Sequence, residues 1–328
     1  DDGSSWAVFQ KNLPIVPITD LKIKDNSLIV ATQGRSIWIL DDLTVLHQIQ
    51  SKKVSKQTIL YKPKQSYRIK GGGGKSSLTA GTNLPNGVIV HYFLKKFNSE
   101  KDKIELQFKS IDGKIIKKYS SSDNKNKLNI KEGGNSFVWD TRYDGAEKLE
   151  GMIFWSASFS GAKAVPGSYI VSLLVNGEEQ SQNFDILADP RSESSIADMQ
   201  KQFDFVNEVN QTVDDAHKAI KRIRDITTKL SDFVKQNETD STATKLVDQA
   251  KEIQENLIKI EKILYQTKNR SNQDPLNFPI RLTNKLGHLN RLITIDDFPP
   301  TSQDIEVKEV LTLEVKEAMK QYRKLIEN

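Results

Sequence analysis

Apolar residues recur with two different periods along this chain, and the change comes near residue 190. Before it, short runs alternate or stay apolar throughout and are closed by turn dipeptides, the pattern of strands. Asp20-Leu21-Lys22-Ile23-Lys24 alternates and Asp25-Asn26 turns. Ser27–Thr32 reads as a buried strand, Gln33-Gly34-Arg35 turns again, and Ser36–Leu40 comes next, closed by Asp41-Asp42. Trp6–Phe9 is a further strand-like run. Strand–turn–strand units of this length fit one blade of an antiparallel propeller or sandwich.

Strand patterns continue at Thr58–Tyr61, Val88–Leu94, Ile104–Phe108, Ile115–Tyr119, Asn135–Trp139 and Gly167–Val175. Asp112-Gly113 and Asn176-Gly177 punctuate them; such dipeptides supply the positive φ that tight hairpin turns need. Roughly seven short strands with this spacing predict an immunoglobulin-like or fibronectin-like sandwich, with Trp139 and Tyr169 as core anchors.

Past Asp189-Pro190-Arg191 the spacing becomes three and four. Ser195-Ile196-Ala197-Asp198 is a capping-box start. The apolar stripe from Met199 through Phe203, Val206, Val209, Val213, Ala216, Ile220 and Ile223 to Phe233 predicts one helix of about 40 residues, about 60 Å long. Leu246 to Leu264 carries a second stripe. Ile280–Ile293 predicts a shorter helix, and Thr301-x-x-Asp304 opens the last, with Leu311, Val315, Ala318, Tyr322 and Leu325 inward. Short connections predict an antiparallel four-helix bundle. The expected organisation is β then α. A propeller blade remnant over 1–57 packs on a sandwich over 58–190, and a helical bundle occupies 191–328.

Asp1, Gly3, Ser5 and Trp6 spell Asp-x-Gly-x-Ser-Trp. This resembles the tail of an Asp-box, the hairpin motif of sialidase-type propellers, in which Asp caps the turn, Gly takes positive φ and Trp anchors the hairpin. Phe9-Gln10, Asn12-Leu13-Pro14, Ala31-Thr32 and Gly34-Arg35-x-Ile37-Trp38-Ile39-Leu40-Asp41-Asp42 resemble the last blade of bacterial secreted BNR/Asp-box, sortilin-like repeat proteins, often labelled glycosyl hydrolases. The likeness continues through Asp189-Pro190-Arg191 and Asp274-Pro275-Leu276-Asn277-Phe278-Pro279-Ile280. It implies a fragment of a longer secreted, periplasmic or cell-surface protein whose remaining blades are its nearest partner. It also implies structural rather than catalytic roles for Asp1, Gly3, Ser5 and Trp6.

Composition narrows the chemistry. The 328 residues contain no cysteine, which removes disulfides, thiol nucleophiles and cysteine-held metals. The four histidines, His47, His91, His217 and His288, lie far apart, and no Glu-x-x-His pair occurs, so neither a metal nor another cofactor is expected. The net charge is +5, but residues 51–131 carry 19 basic against 5 acidic side chains, a surplus of 14. A basic region attracts acidic glycans, nucleic acid or anionic surfaces; these residues are mostly Lys without interleaved stacking aromatics, so nucleic acid is not the expected partner. Gly71–Gly74 before Lys75-Ser76 lacks the spacing of a phosphate loop, with Ile69 where its first glycine belongs. The doublets Asp1/Asp2, Asp41/Asp42, Asp214/Asp215 and Asp296/Asp297 are adjacent residues that point apart, unlike the facing carboxyls of a glycosidase. No run is apolar enough to span a membrane.

No catalytic residue is expected in this chain. Trp155 and Phe159, in a loop-like stretch, are the candidates for stacking on a ligand. Three functions fit: a non-catalytic structural or binding region of a propeller protein, an accessory carbohydrate-binding region of a glycoside hydrolase-like enzyme, or an adaptor-like helical bundle that binds protein.

Overall fold

The computed structural model describes residues 3–51, 58–69 and 81–327. The chain is β first and α afterwards. Three sheets are ordered β1-β2-β3, β4-β6-β9 and β5-β11-β10-β7-β8. The strands are β1 (Ile18–Lys24), β2 (Ser27–Thr32), β3 (Ile37–Leu40), β4 (Thr58–Leu60), β5 (Ser66–Arg68), β6 (Val88–Leu94), β7 (Ile104–Ser110), β8 (Ile115–Ser120), β9 (Gly133–Trp139), β10 (Gly167–Val175) and β11 (Glu178–Ala188). A helix α1 (Thr44–Ser51) comes after β3, and α2 (Ile196–Gln236), α3 (Thr244–Leu264), α4 (Leu282–Ile293) and α5 (Ser302–Glu327) come after β11. Trp6–Phe9, expected as a strand, has no regular structure. Asp1 and the Gly71–Lys75 loop lie outside the described residues.

The chain divides into two compact units. The first comprises Asp1–Ser66, Gly71–Asp140 and Ser168–Asp185; the second comprises Tyr67–Lys70, Thr141–Gly167 and Ile186–Asn328. The division differs from the three expected segments: residues 1–57 join the sheets, and 141–167, expected with the sheets, belongs with the helices.

In the first unit two sheets face each other across an aromatic core. On β6, Val88, Val90, Tyr92 and Leu94 are buried and the residues between them are not, so period two places one set inward. Trp139 on β9 pairs with Val88 and stacks on Phe108 of β7, ring centroids 4.5 Å apart; Phe184 of β11 meets Trp139 edge-on at 6.3 Å. Between β4 and β11, Gln180 receives the Leu60 amide and donates to the Thr58 carbonyl. Asn176 and Gly177 both take positive φ in the turn joining β10 to β11, as the dipeptide predicts.

The second unit is built on its four helices. Ser195 and Asp198 form the reciprocal capping box at the start of α2, and Thr301 and Asp304 repeat it before α5. Val206, Val213 and Ile220 of α2, Leu257 and Leu264 of α3, Leu286 of α4 and Val315 of α5 share one buried cluster. Burying such side chains contributes about 1.5–3 kcal/mol each, which holds together helices whose outer faces are charged.

Candidate functional site

The three-stranded sheet β1–β3 has an unusual surface. Directly paired residues of antiparallel strands share a face. Leu21 pairs with Val30 and Ile23 with Leu28; Val30 pairs with Trp38 and Leu28 with Leu40. One face is therefore Leu21, Ile23, Leu28, Val30, Trp38 and Leu40. The other carries Ile29 against Ile39 and Ala31 against Ile37, bordered by Lys22 and Lys24. Apolar side chains stand on both faces, beside Asp20, Lys22 and Lys24 on the second; Leu21 is 60%, Ile23 65%, Ile37 65% and Ile39 57% exposed, whereas Val30 is 4% exposed. Strands apolar on both sides are normally covered on both sides, and exposed apolar area of this extent marks an interaction surface. Bonds to the chain after it lie at the margins of this region: Lys64 reaches the Asp25 carbonyl in the β1–β2 turn, and Gln48 of α1 makes two bonds to the Lys62 backbone. At the centre of the sheet Val30 is buried, while Leu21, Ile23, Ile37 and Ile39 stay exposed.

Ahead of this sheet in the chain, Gly3 to Ser5 turn and lead into Trp6. Gly3 has φ of +86°, and the Trp6 indole donates to the Gly3 carbonyl at 2.9 Å. Trp6 is 90% exposed.

In the second unit, Arg68 forms the centre of a buried polar network. Its side chain is 1% exposed and pairs with Asp297 at 3.0 Å. Its remaining donors go to the Lys163 and Ala164 carbonyls and to Gln202. Gln202 donates in turn to the carbonyls of Ile293, Asp296 and Phe298 at and beyond the end of α4. Beside it is a cavity of about 50 Å³ lined by Arg68, Arg142, Lys163, Gln202 and Asp297. Burial pushes the Lys163 ammonium down to about 8; Asp297 opposes the shift, and Arg68 and Arg142 add to it. The space suits a few waters, and the Arg68 guanidinium is committed to protein partners, so this network supports structure rather than chemistry on a substrate.

Residues 141–166, which hold Trp155 and Phe159, run without strand or helix beyond an isolated Arg142–Lys163 bridge. Their backbone is satisfied by helix side chains. Asn284 accepts from the Trp155 amide at 2.7 Å and donates to its carbonyl at 2.8 Å. Tyr265 accepts from the Ile153 amide. Asn210 and Asn290 both donate to the Ser160 carbonyl. His217 Nδ1 meets the Glu147 carbonyl, and His288 Nδ1 meets that of Ser156.

Phe159 is half-buried and packs against the helical core, with its ring 4.6 Å from Phe154. It presses on Gly287, where an added Cβ would lie 2.6 Å from the ring. Trp155 keeps 41% of its surface exposed. The two candidate stacking residues thus differ in setting, Trp155 exposed and Phe159 half-buried.

Of the aspartate doublets, Asp296/Asp297 places Asp297 on Arg68, and two others serve the backbone. Asp42 accepts from the Thr44 amide at the start of α1, and Asp214 accepts from that of Glu147. Among the described residues no group of three or more His, Asp or Glu side chains is placed to hold a metal ion. Among them, too, no helix is long and apolar enough to cross a membrane.

No family profile matches the chain, and no curated protein does so. Among solved structures, a chain described as "pT26-6p" aligns at 8% identity over 75% of this chain and 48% of its own length, with a TM-score of 0.13. That score carries no argument about fold or function.

Proposed function

We propose that this chain is the non-catalytic C-terminal region of a larger secreted or cell-surface propeller protein of the BNR/Asp-box, sortilin-like kind. In this reading β1–β3 belong to the last blade, the facing sheets form an immunoglobulin-like module, and the four helices form a bundle. The region's role is structural support and binding. One observation carries the reading: apolar side chains on both faces of β1–β3, Leu21 and Ile23 on one and Ile37 and Ile39 on the other, stay more than half exposed, as they would in a blade lifted from beside a neighbour. The resemblance of Gly3, Ser5 and Trp6 to an Asp-box agrees with it.

The test is amide hydrogen exchange over residues 18–40, measured in this chain and in a longer chain carrying preceding blades. Slow exchange in the longer chain and fast exchange in this one is the expected outcome. Equal protection in both would count against the blade.

A further inference from the structure

The first unit carries a second feature that the blade reading leaves unused. On β6, His91 and Phe93 point away from the aromatic core, since the alternate residues Val90, Tyr92 and Leu94 are the buried ones. Their partners on β9 are Ser136 and Gly134. The outer face of this sheet is the floor of an open groove of about 670 Å³, within the range of small-molecule sites, about 300–1,000 Å³. Val45 and Ile49 of α1 form one wall; Asn129, Ile130 and Lys131 form the other.

Both walls are fixed in place. Gln48 ties α1 to the Lys62 amide and carbonyl at 2.8 and 3.0 Å. The Asn135 side chain accepts from the Lys131 amide and donates to the Lys131 and Gly133 carbonyls. Gly134 leaves the floor bare: a Cβ there meets nothing within 4 Å. Walls braced in this way lower the ordering entropy lost on binding.

The groove's chemistry is specific. Phe93, Ile130, Val45 and Ile49 offer aromatic and aliphatic surface. Around them stand the Tyr61 hydroxyl, the Ser136 hydroxyl, the Asn129 amide and the His91 imidazole, none with a hydrogen-bond partner among the described residues. Burial lowers the pKa of His91, with Asp42 opposing the shift, so the neutral ring offers one donor and one acceptor. Short, neutral donor–acceptor groups around an apolar floor match a ring with hydroxyls at its edge and C–H bonds on its face. Lys131, at the rim, has no carboxylate partner among the described residues. It is the unpaired charge of the groove, whereas the His91 end lies in the field of Asp42, which repels an anion.

We infer that this groove binds an acidic sugar ring, its face against Phe93, its hydroxyls on His91, Tyr61 and Ser136, and its carboxylate at Lys131. The inference does not depend on the propeller reading of β1–β3, because no residue lining the groove lies on those strands.

The test is an NMR titration of the full chain with glucuronate and, separately, with glucose. Glucuronate is expected to shift the amide resonances of Phe93, Gly134 and Ser136 and to bind about tenfold more tightly than glucose, equivalent to about 1.4 kcal/mol. Lys131→Glu should bring glucuronate to the level of glucose and leave glucose unchanged. Gly134→Val, which fills open space on an extended strand, should abolish both without lowering the melting temperature. Equal binding of the two sugars, or indifference to Lys131→Glu, overturns the acidic specificity; absence of shifts with either sugar overturns the site.

Discussion

Arg68 shows how much one side chain settles. It is a lone arginine in a lysine-rich stretch, and its planar fork does what an ammonium cannot: it joins Asp297, two carbonyls and Gln202 at once. Arg68→Met should therefore cost about 3–5 kcal/mol, because it strands the Asp297 carboxylate. Urea unfolding of the helical unit checks this, and Arg68→Met with Asp297→Leu should recover part of the loss.

His217 gives a pH dependence. Its pKa is lowered by burial, against the pull of the Glu147 carbonyl and Asp214, and its Nε2 is buried without a partner among the described residues. A histidine whose folded pKa lies below its unfolded value contributes stability above about pH 6.5. That contribution is lost as pH falls through the folded pKa, because the unfolded chain takes up the proton first. Between pH 7.5 and 5 the wild type should lose more stability than His217→Gln, measured by denaturant midpoint; equal losses would remove His217 as the cause.

At the scale of elements, strength and punctuation decided what the sequence disclosed. β6, β10 and α2 lie where their patterns put them, because each has an unbroken period and a clear stop or cap. α1 and β5 were not expected: each is short, and α1 is fixed by Asp42, Asn26 and Gln48 rather than by a long stripe. The 141–167 segment was illegible for a different reason. Its conformation is imposed by side chains distant in sequence, as when Asn284 brackets Trp155. The available signal was polar residues at inward helical positions, among them Asn210, His217, Asn284 and Asn290. The packing of Phe159 was illegible on the same ground, since it had no local mark to distinguish a packed ring from an offered one. The groove at Phe93 was missed because its walls come from separate stretches of chain. Asn284→Ala should cost about 1–3 kcal/mol for the backbone groups it leaves unpaired. Chemical denaturation measures the cost, and faster exchange of the Trp155 amide would locate it.

For the whole molecule, open apolar sheet area predicts self-association. Leu21→Lys with Ile37→Lys places one charge on each face of β1–β3, and charges on exposed strands discourage pairing with other chains. The double variant should sediment as a monomer at concentrations where the wild type associates. Its melting transition should stay near that of the wild type, since neither side chain is buried. Unchanged association would mean that the sheet is not the adhesive surface.

The grip of the helices on residues 153–160 has a consequence for redesign. What Asn210, Tyr265, Asn284 and Asn290 hold are peptide groups, which every amino acid other than proline supplies alike. Exchanging the outward side chain of Trp155 should therefore be tolerated. Adding or removing a single residue between Ile153 and Ser160 would put every later carbonyl out of step with the hand that holds it.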